Sequence, residues 1–289
     1  MANLQSLRRR IASVKNTQKI TKAMKMVAAS KLRRAQLRIL AFRPYGQRMR
    51  QVLANLSVRV NRAAHPLLEK RPVRIIQVSV VTSDRGLCGA FNANIFRKAL
   101  GVIEECEARG AKVIVGVVGR KGADFFRRRH WPIREPFMNV FERLTYEHAM
   151  EIGMAGAEAF KTGEFDELYM VYNEFKSVVQ QRVIVEHLLP IEPLEEFAAH
   201  ESMAGGYLYE PDEEELFATL LPKYAQAQIY RILLESSAAE QAARMQAMDG
   251  ATRNAGEVIK NLTRLYNKSR QEAITKELMD IVGGAEAQK

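Results

Sequence analysis

The stretch MANLQSLRRRIASVKNTQKITKAMKMVAASKLRRAQLRILAFR, residues 1–43, contains no Gly and no Pro. It is rich in Ala, Leu, Met, Lys, Arg and Gln, the residues that lose least on entering a helix. Apolar residues recur at Leu4, Leu7, Ile11 and Val14, then at Ile20, Met24, Val27, Ala28 and Leu32, which predicts one long amphipathic helix. Pro44 and Gly46 interrupt the pattern before Met49, Val52, Leu53, Leu56 and Val60 resume it. That predicts a second helical length or a bent continuation, ending near His65 and Pro66.

A matching texture stands at the other end of the chain. From Asp212 onward only Pro222 breaks the helical pattern, and residues 223–282 correspond to about 90 Å of continuous helix at about 1.5 Å per residue. Its expected inner face runs from Ile229, Ile232 and Leu233 through Ser236, Ala239, Ala243, Ala247 and Gly250 to Val258, Leu262, Leu265 and Ser269. The small residues at the centre of that face allow another helix to approach closely. The acidic run at Glu213, Glu214 and Glu215 suits the first turn of this helix, where the helix dipole favours negative charge.

Between the helices the texture changes. VRIIQVSVVT, beginning at Val73, reads as a buried strand, followed by a Gly-containing turn and a helix over about 91–109. A second strand is expected over 112–118, then a short helix to Arg129, a helix over 145–161, and strands over 166–173 and 178–189. Alternation of this kind argues for an α/β layer with parallel pairing. The expected fold class is therefore mixed α+β, with a long antiparallel coiled coil of N- and C-terminal helices and a central Rossmann-like α/β domain. The expected segments are a helix over 1–66, the α/β domain over 73–192, a connecting or foot segment over 193–211 and the C-terminal helix over 212–289.

Charge is distributed unevenly. Residues 1–50 hold 14 Lys or Arg and no Asp or Glu, and the first acidic residue is Glu69, whereas the chain as a whole carries only +11. The cations surround the first helix where a plain solvated helix would interleave acids, so an extended acidic partner is expected along it. No window approaches the apolar length of a spanning helix, and the N-terminus shows neither an apolar run nor a small-residue cleavage site, so neither membrane insertion nor a secretory signal is expected. Cys88 and Cys106 and the five histidines lack metal-ligand spacing.

Two motifs invite chemistry. Gly116, Gly119 and Gly122 follow a strand as GxxGxxG, which is neither a dinucleotide fingerprint nor a Walker loop, and tight turns are the better account. TSDRGLCGAFN, 82–92, puts Ser, Asp, Arg and Cys at a strand's C-terminal end, with no His nearby in sequence to form a nucleophile pair. A structural turn or a contact surface fits it better than a reaction centre.

Five blocks in order resemble the gamma subunits of F-type ATP synthases. They are IASVKNTQKITKAMKMVAASKLRRAQ at 11–36, TSDRGLCGAFN, YLYEPD at 207–212, AAEQAARMQAM at 238–248 and ITKELMDIVGGAEA at 274–287. The resemblance implies a central rotor stalk without an active site or cofactor of its own, standing inside a ring of alpha and beta subunits that bind the nucleotides. It implies beta-subunit contacts at Lys22, Met24 and Lys25, facing an acidic loop, and at Arg270, Gln271, Thr275 and Glu277 near the head. It further implies contact of Tyr207, Tyr209 and Glu210 with the membrane rotor ring of c subunits, an epsilon subunit held by the α/β domain, and a peripheral place on the cytoplasmic face of a bacterial inner membrane. The regulatory cysteine insertion of plastid relatives is missing before YLYEPD, so thiol switching is unsupported.

The alternative is a basic helical nucleic-acid-binding protein whose arm neutralises phosphates. It leaves the long C-terminal helix and its small-residue face unexplained, and the arm lacks the interleaved aromatics expected of a single-strand binder. A nucleotide-dependent enzyme on the α/β domain is a third reading, and would require nucleotide binding by the isolated chain.

Overall fold

The computed structural model describes residues 4–57, 65–192 and 212–286, with the backbone alone for 283–286. Helix α1 spans Leu4–Ser57, a 3-10 turn Pro66–Leu68, strand β1 Ile75–Val81 and helix α2 Phe91–Ala108. Strand β2 is Lys112–Val118, helix α3 Arg120–Phe126, strand β3 Ile133–Phe137 and helix α4 Tyr146–Lys161. Strands β4, Glu167–Phe175, and β5, Gln181–Leu189, precede helix α5, Glu213–Glu286. The chain divides into two compact units, Met1–Ala28 with Arg244–Lys289, and Ala29–Ala243.

Pro44 does not interrupt α1, nor Pro222 α5. A proline removes one ladder bond, and packing on both sides can outweigh that loss. Phe42 meets the Tyr230 ring edge-on at 4.9 Å, while Met49, Leu53 and Leu56 are buried just beyond the proline. The start of α5 is capped as its acids suggested: the Glu215 amide donates to Asp212 Oδ1 at 2.8 Å, ahead of three glutamates in the first turn.

The larger unit is built on a five-stranded sheet ordered β3-β2-β1-β4-β5, parallel except for the antiparallel β4–β5 hairpin. Apolar side chains of α2 and α3 bury one face, among them Ile95, Ile103 and Phe126. The other face packs against α4 and against the parts of α1 and α5 in this unit, through Leu53, Leu56, Phe160, Ile229, Ile232 and Leu233. β3 was not expected from sequence: IREPF carries two charges and a proline, and as an edge strand it needs a single partner.

The strand order reverses between β1 and β4, the place where open α/β sheets bind ligands. Here the chain's own groups close it. Asp84, buried at the end of β1, accepts the backbone N–H of Arg120 and of Asn139 on Oδ1, at 3.0 and 2.9 Å, and that of Phe141 on Oδ2 at 3.1 Å. The Thr82 hydroxyl donates to Val118 O and accepts the Gly122 amide. Asn173 of β4 donates to Phe91 O, and the Ser83 amide donates to Asn92 Oδ1. Gly119 has φ +97, and a Cβ there would lie 2.1 Å from Thr82 O, so the glycine spacing serves close packing. The Ser83, Arg120 and Gly122 amides are thus engaged by side chains of the chain itself.

One charged cluster ties α5 to the β4–β5 hairpin. Arg231 donates to Glu186 and, at 3.1 Å, to the Tyr172 hydroxyl, which itself donates to Glu186 Oε2 at 2.9 Å. Burial pushes the Tyr172 hydroxyl above its ordinary range. Glu235 stands 3.6 Å from the same guanidinium with its Oε2 unpaired, and burial raises its carboxyl despite the nearby cation.

Two outcomes follow from this packing. Asp84→Ala strips three buried amides of their acceptor and lowers stability by about 2–4 kcal/mol, read from denaturant melts of the full chain. Glu235 has a raised folded pKa, so its favourable contribution exists at low pH and is lost as pH rises through that value. Glu235→Gln therefore raises the melting midpoint at pH 8 by about 1–3 °C, and the gain disappears on acidification through the carboxylate range.

Candidate interaction surface

In the smaller unit the two terminal helices run antiparallel. The Thr21 and Thr252 hydroxyls meet at 2.8 Å, Gln18 Nε2 donates to Thr252 O at 3.3 Å, and Lys25 Nζ donates to Asp249 Oδ1 at 2.6 Å. Leu7, Thr21 and Ala28 are buried on α1, with Val14 half-buried between the first two, and Met248 and Ala255 are buried on α5, each series stepping by sevens. That is the spacing of a coiled-coil seam.

The seam differs from the faces expected above. Ile20 and Val27 are 59% and 56% exposed, and Val258 and Leu265 also face outward, although all four were expected to be inner residues. A 3.5-residue repeat selects the 7-14-21-28 series and its neighbours, so an apolar residue one step away is left on the surface. The result is an apolar stripe, Ile20 and Val27, set among the cations of α1.

The candidate contact residues separate into two groups that the fold does not bring together. Lys22 is exposed and Met24 half-buried, both on the α1 turns opposite Asp249 and Thr252. Lys25 lies beside them, but its ammonium is engaged by Asp249. The hydrogen bond from Lys25, with Lys25 and Arg253 as neighbouring cations, holds the Asp249 carboxyl below its ordinary range. Arg270, Gln271, Thr275 and Glu277 are all exposed on α5. The Thr21–Thr252 register puts Leu4 opposite about residue 269, so this second group lies where α5 has run past the first described turn of α1. Ile274, Leu278, Met279, Ile281 and Val282 are exposed along the same length. Tyr207, Tyr209 and Glu210 lie outside the described residues.

Sequence reasoning missed Asp249 and Thr252. An aspartate and a threonine inside an Ala- and Met-rich helix were the available signal, obscured because their partners are 224 and 231 residues away in the chain. Among the described residues no cluster of His, Cys, Asp or Glu could hold a metal ion, and no helix is long and apolar enough to cross a membrane.

A family model described as ATP synthase matches residues 3–288. The ATP synthase gamma chain of Chlorobaculum parvum is 48% identical over 293 residues, with 100% of both chains covered. That of Trichlorobacter lovleyi is 45% identical over 289 residues, again with 100% of both covered. Among solved structures, a chain of the central stalk and c-ring of Tetrahymena thermophila mitochondrial ATP synthase is 26% identical, with a TM-score of 0.60 over 80% of this chain and 99% of that one. A chain of the Euglena gracilis mitochondrial OSCP/F1/c-ring assembly is 21% identical, with a TM-score of 0.68 over 99% and 94%, a likeness of fold. The nucleic-acid alternative draws no support from these matches.

Proposed function

Because the chain belongs to the ATP synthase gamma chain family, and is thus the non-catalytic central-stalk subunit of that rotary complex, we propose that its terminal helix pair is the part that carries torque to the catalytic head. The observation that carries this reading is the outward display of apolar side chains on a helix pair that already has an internal seam. Ile20, Val27, Val258 and Leu265 remain exposed where the helices bury each other, and Ile274 and Leu278 are exposed on the length of α5 beyond that pairing. Large apolar side chains left exposed along a helix pair mark a partner site.

The partner around α1 is acidic, since 14 cations and no acids occupy residues 1–50. In this reading the surroundings are the alpha and beta subunits. Lys22 and Met24 meet an acidic beta-subunit loop, with Lys25 adjoining them, and Arg270, Gln271, Thr275 and Glu277 meet beta-subunit loops closer to the head. The α/β domain, 73–192, holds the epsilon subunit. Tyr207, Tyr209 and Glu210, in the foot segment 193–211, reach the c-ring, which puts the chain at the cytoplasmic face of a bacterial inner membrane without inserting it.

Torque then becomes free energy by differential contact. The helix pair is asymmetric, so each face binds a given beta-subunit conformation with a different free energy, and turning the pair shifts the populations of the three sites in sequence. The chain itself supplies no reacting group.

The test is ATP-driven ion pumping by the assembled complex in vesicles. Lys22→Glu lowers pumping per ATP hydrolysed by about two- to fivefold, the scale of one exposed charge contact. Truncation after Ala273, which removes the exposed apolar end, lowers it by about tenfold or more. Unchanged pumping in both variants overturns the reading.

A further inference from the structure

The seam of the terminal unit is apolar at its ends and polar in the middle. On α1 the inward positions follow a 4-3 spacing as Leu7, Ile11, Val14, Gln18, Thr21, Lys25 and Ala28, and the three consecutive positions from Gln18 to Lys25 are polar. They meet a matched set on α5. The Thr252 carbonyl accepts from Gln18, and the Thr252 hydroxyl meets that of Thr21 and reaches Met248 O at 2.7 Å. Asp249 takes Lys25 on Oδ1, while Arg253 lies 3.5 Å from its Oδ2. Gly256 leaves the space occupied by Gln18, since a Cβ there would come within 3.1 Å of Gln18 Nε2.

At 43% and 38% side-chain exposure, the Lys25–Asp249 pair contributes little to stability by itself. Its effect is on choice of register. Val14, Ala28, Met248 and Ala255 carry no polar group that distinguishes one heptad from the next, whereas the polar layer does. A slide of seven residues would set Thr21 against Met245 or Ile259 and Lys25 against Ala242 or Gly256, so the cross-helix contacts of the hydroxyl and the ammonium would both be lost. One polar layer in an otherwise permissive seam is how coiled coils specify register.

We propose that Asp249 and Thr252 fix the axial register of the terminal helices by holding Lys25 and Thr21, which makes Lys25 a positioning residue inside the helix pair. The proposal rests on the torque-carrying reading for its consequence in function. Register decides which side chains of α1 and α5 stand at the same height, and so which pairs a surrounding subunit meets together. A one-heptad error displaces Lys22 relative to the α5 surface by about 10 Å.

A charge swap separates this role from direct contact with a partner. In the assembled complex, Lys25→Glu alone and Asp249→Lys alone each reduce ion pumping per ATP hydrolysed by at least about threefold. The double variant, Lys25→Glu with Asp249→Lys, restores it to near the parent level. Failure of the double variant to improve on Lys25→Glu overturns the proposal, because a cation at position 25 would then be needed by the partner. A second readout on the isolated full chain does not depend on torque. Nitroxides at Lys15→Cys and Lys260→Cys, with the buried Cys88 and Cys106 unlabelled, give one narrow distance in the parent and the swap, and a distribution broadened toward displacements of about 10 Å in the single reversals. Identical narrow distances in all four chains also overturn it. If Lys22→Glu and the Ala273 truncation leave pumping unchanged, the torque reading falls while the distances still decide the register.

Discussion

The burial of one seam between the two terminal helices is the interaction on which the rest of the molecule's behaviour depends. A helix as long as α1 or α5 satisfies its backbone internally, yet in water it persists only when a face is packed. In the smaller unit the side chains buried by that packing are Leu7, Thr21 and Ala28 on α1 and Met248 and Ala255 on α5. These are mostly small or medium side chains. The contact is close rather than bulky, and it leaves the larger apolar residues, Ile20, Val27, Val258 and Leu265, free to face outward.

The α/β unit shows a complementary economy. Its doubly wound sheet has the ligand crevice that the topology always creates, and the chain closes that crevice with its own groups. Asp84 gathers three amides, Thr82 takes the amide of Gly122, and Asn173 reaches Phe91 O. Arg231 with Glu186 and Tyr172 fastens part of α5 to the β4–β5 hairpin of this unit.

The long helices were legible because Gly and Pro are missing from the first 43 residues and Pro from 223–282, and the strands β1 and β2 because both are short runs dominated by Val and Ile. The limits were physical. Pro44 and Pro222 read as interruptions, but tertiary packing overrode them. β3 escaped because an edge strand tolerates Pro136 and two charges. The seam was read as the apolar stripe, which is correct for Leu7 and Ala28 and incorrect for Ile20, Val27, Val258 and Leu265, because hydrophobicity does not reveal whether a side chain packs within its own chain or against another. The polar contacts at Asp249 and Thr252 were invisible for the same reason, since only the antiparallel pairing brings them to Lys25 and Thr21.

Torque carried by the terminal helix pair requires α1 and α5 to move together through the working cycle. A disulfide between Thr21→Cys and Thr252→Cys, whose parent hydroxyls lie 2.8 Å apart, tests that most directly in the assembled complex. The expected result is ATP-driven ion pumping in the oxidised state at least equal to that in the reduced state. Loss of pumping on oxidation, recovered on reduction, would mean that the helices slide or part during turnover, and would contradict the account.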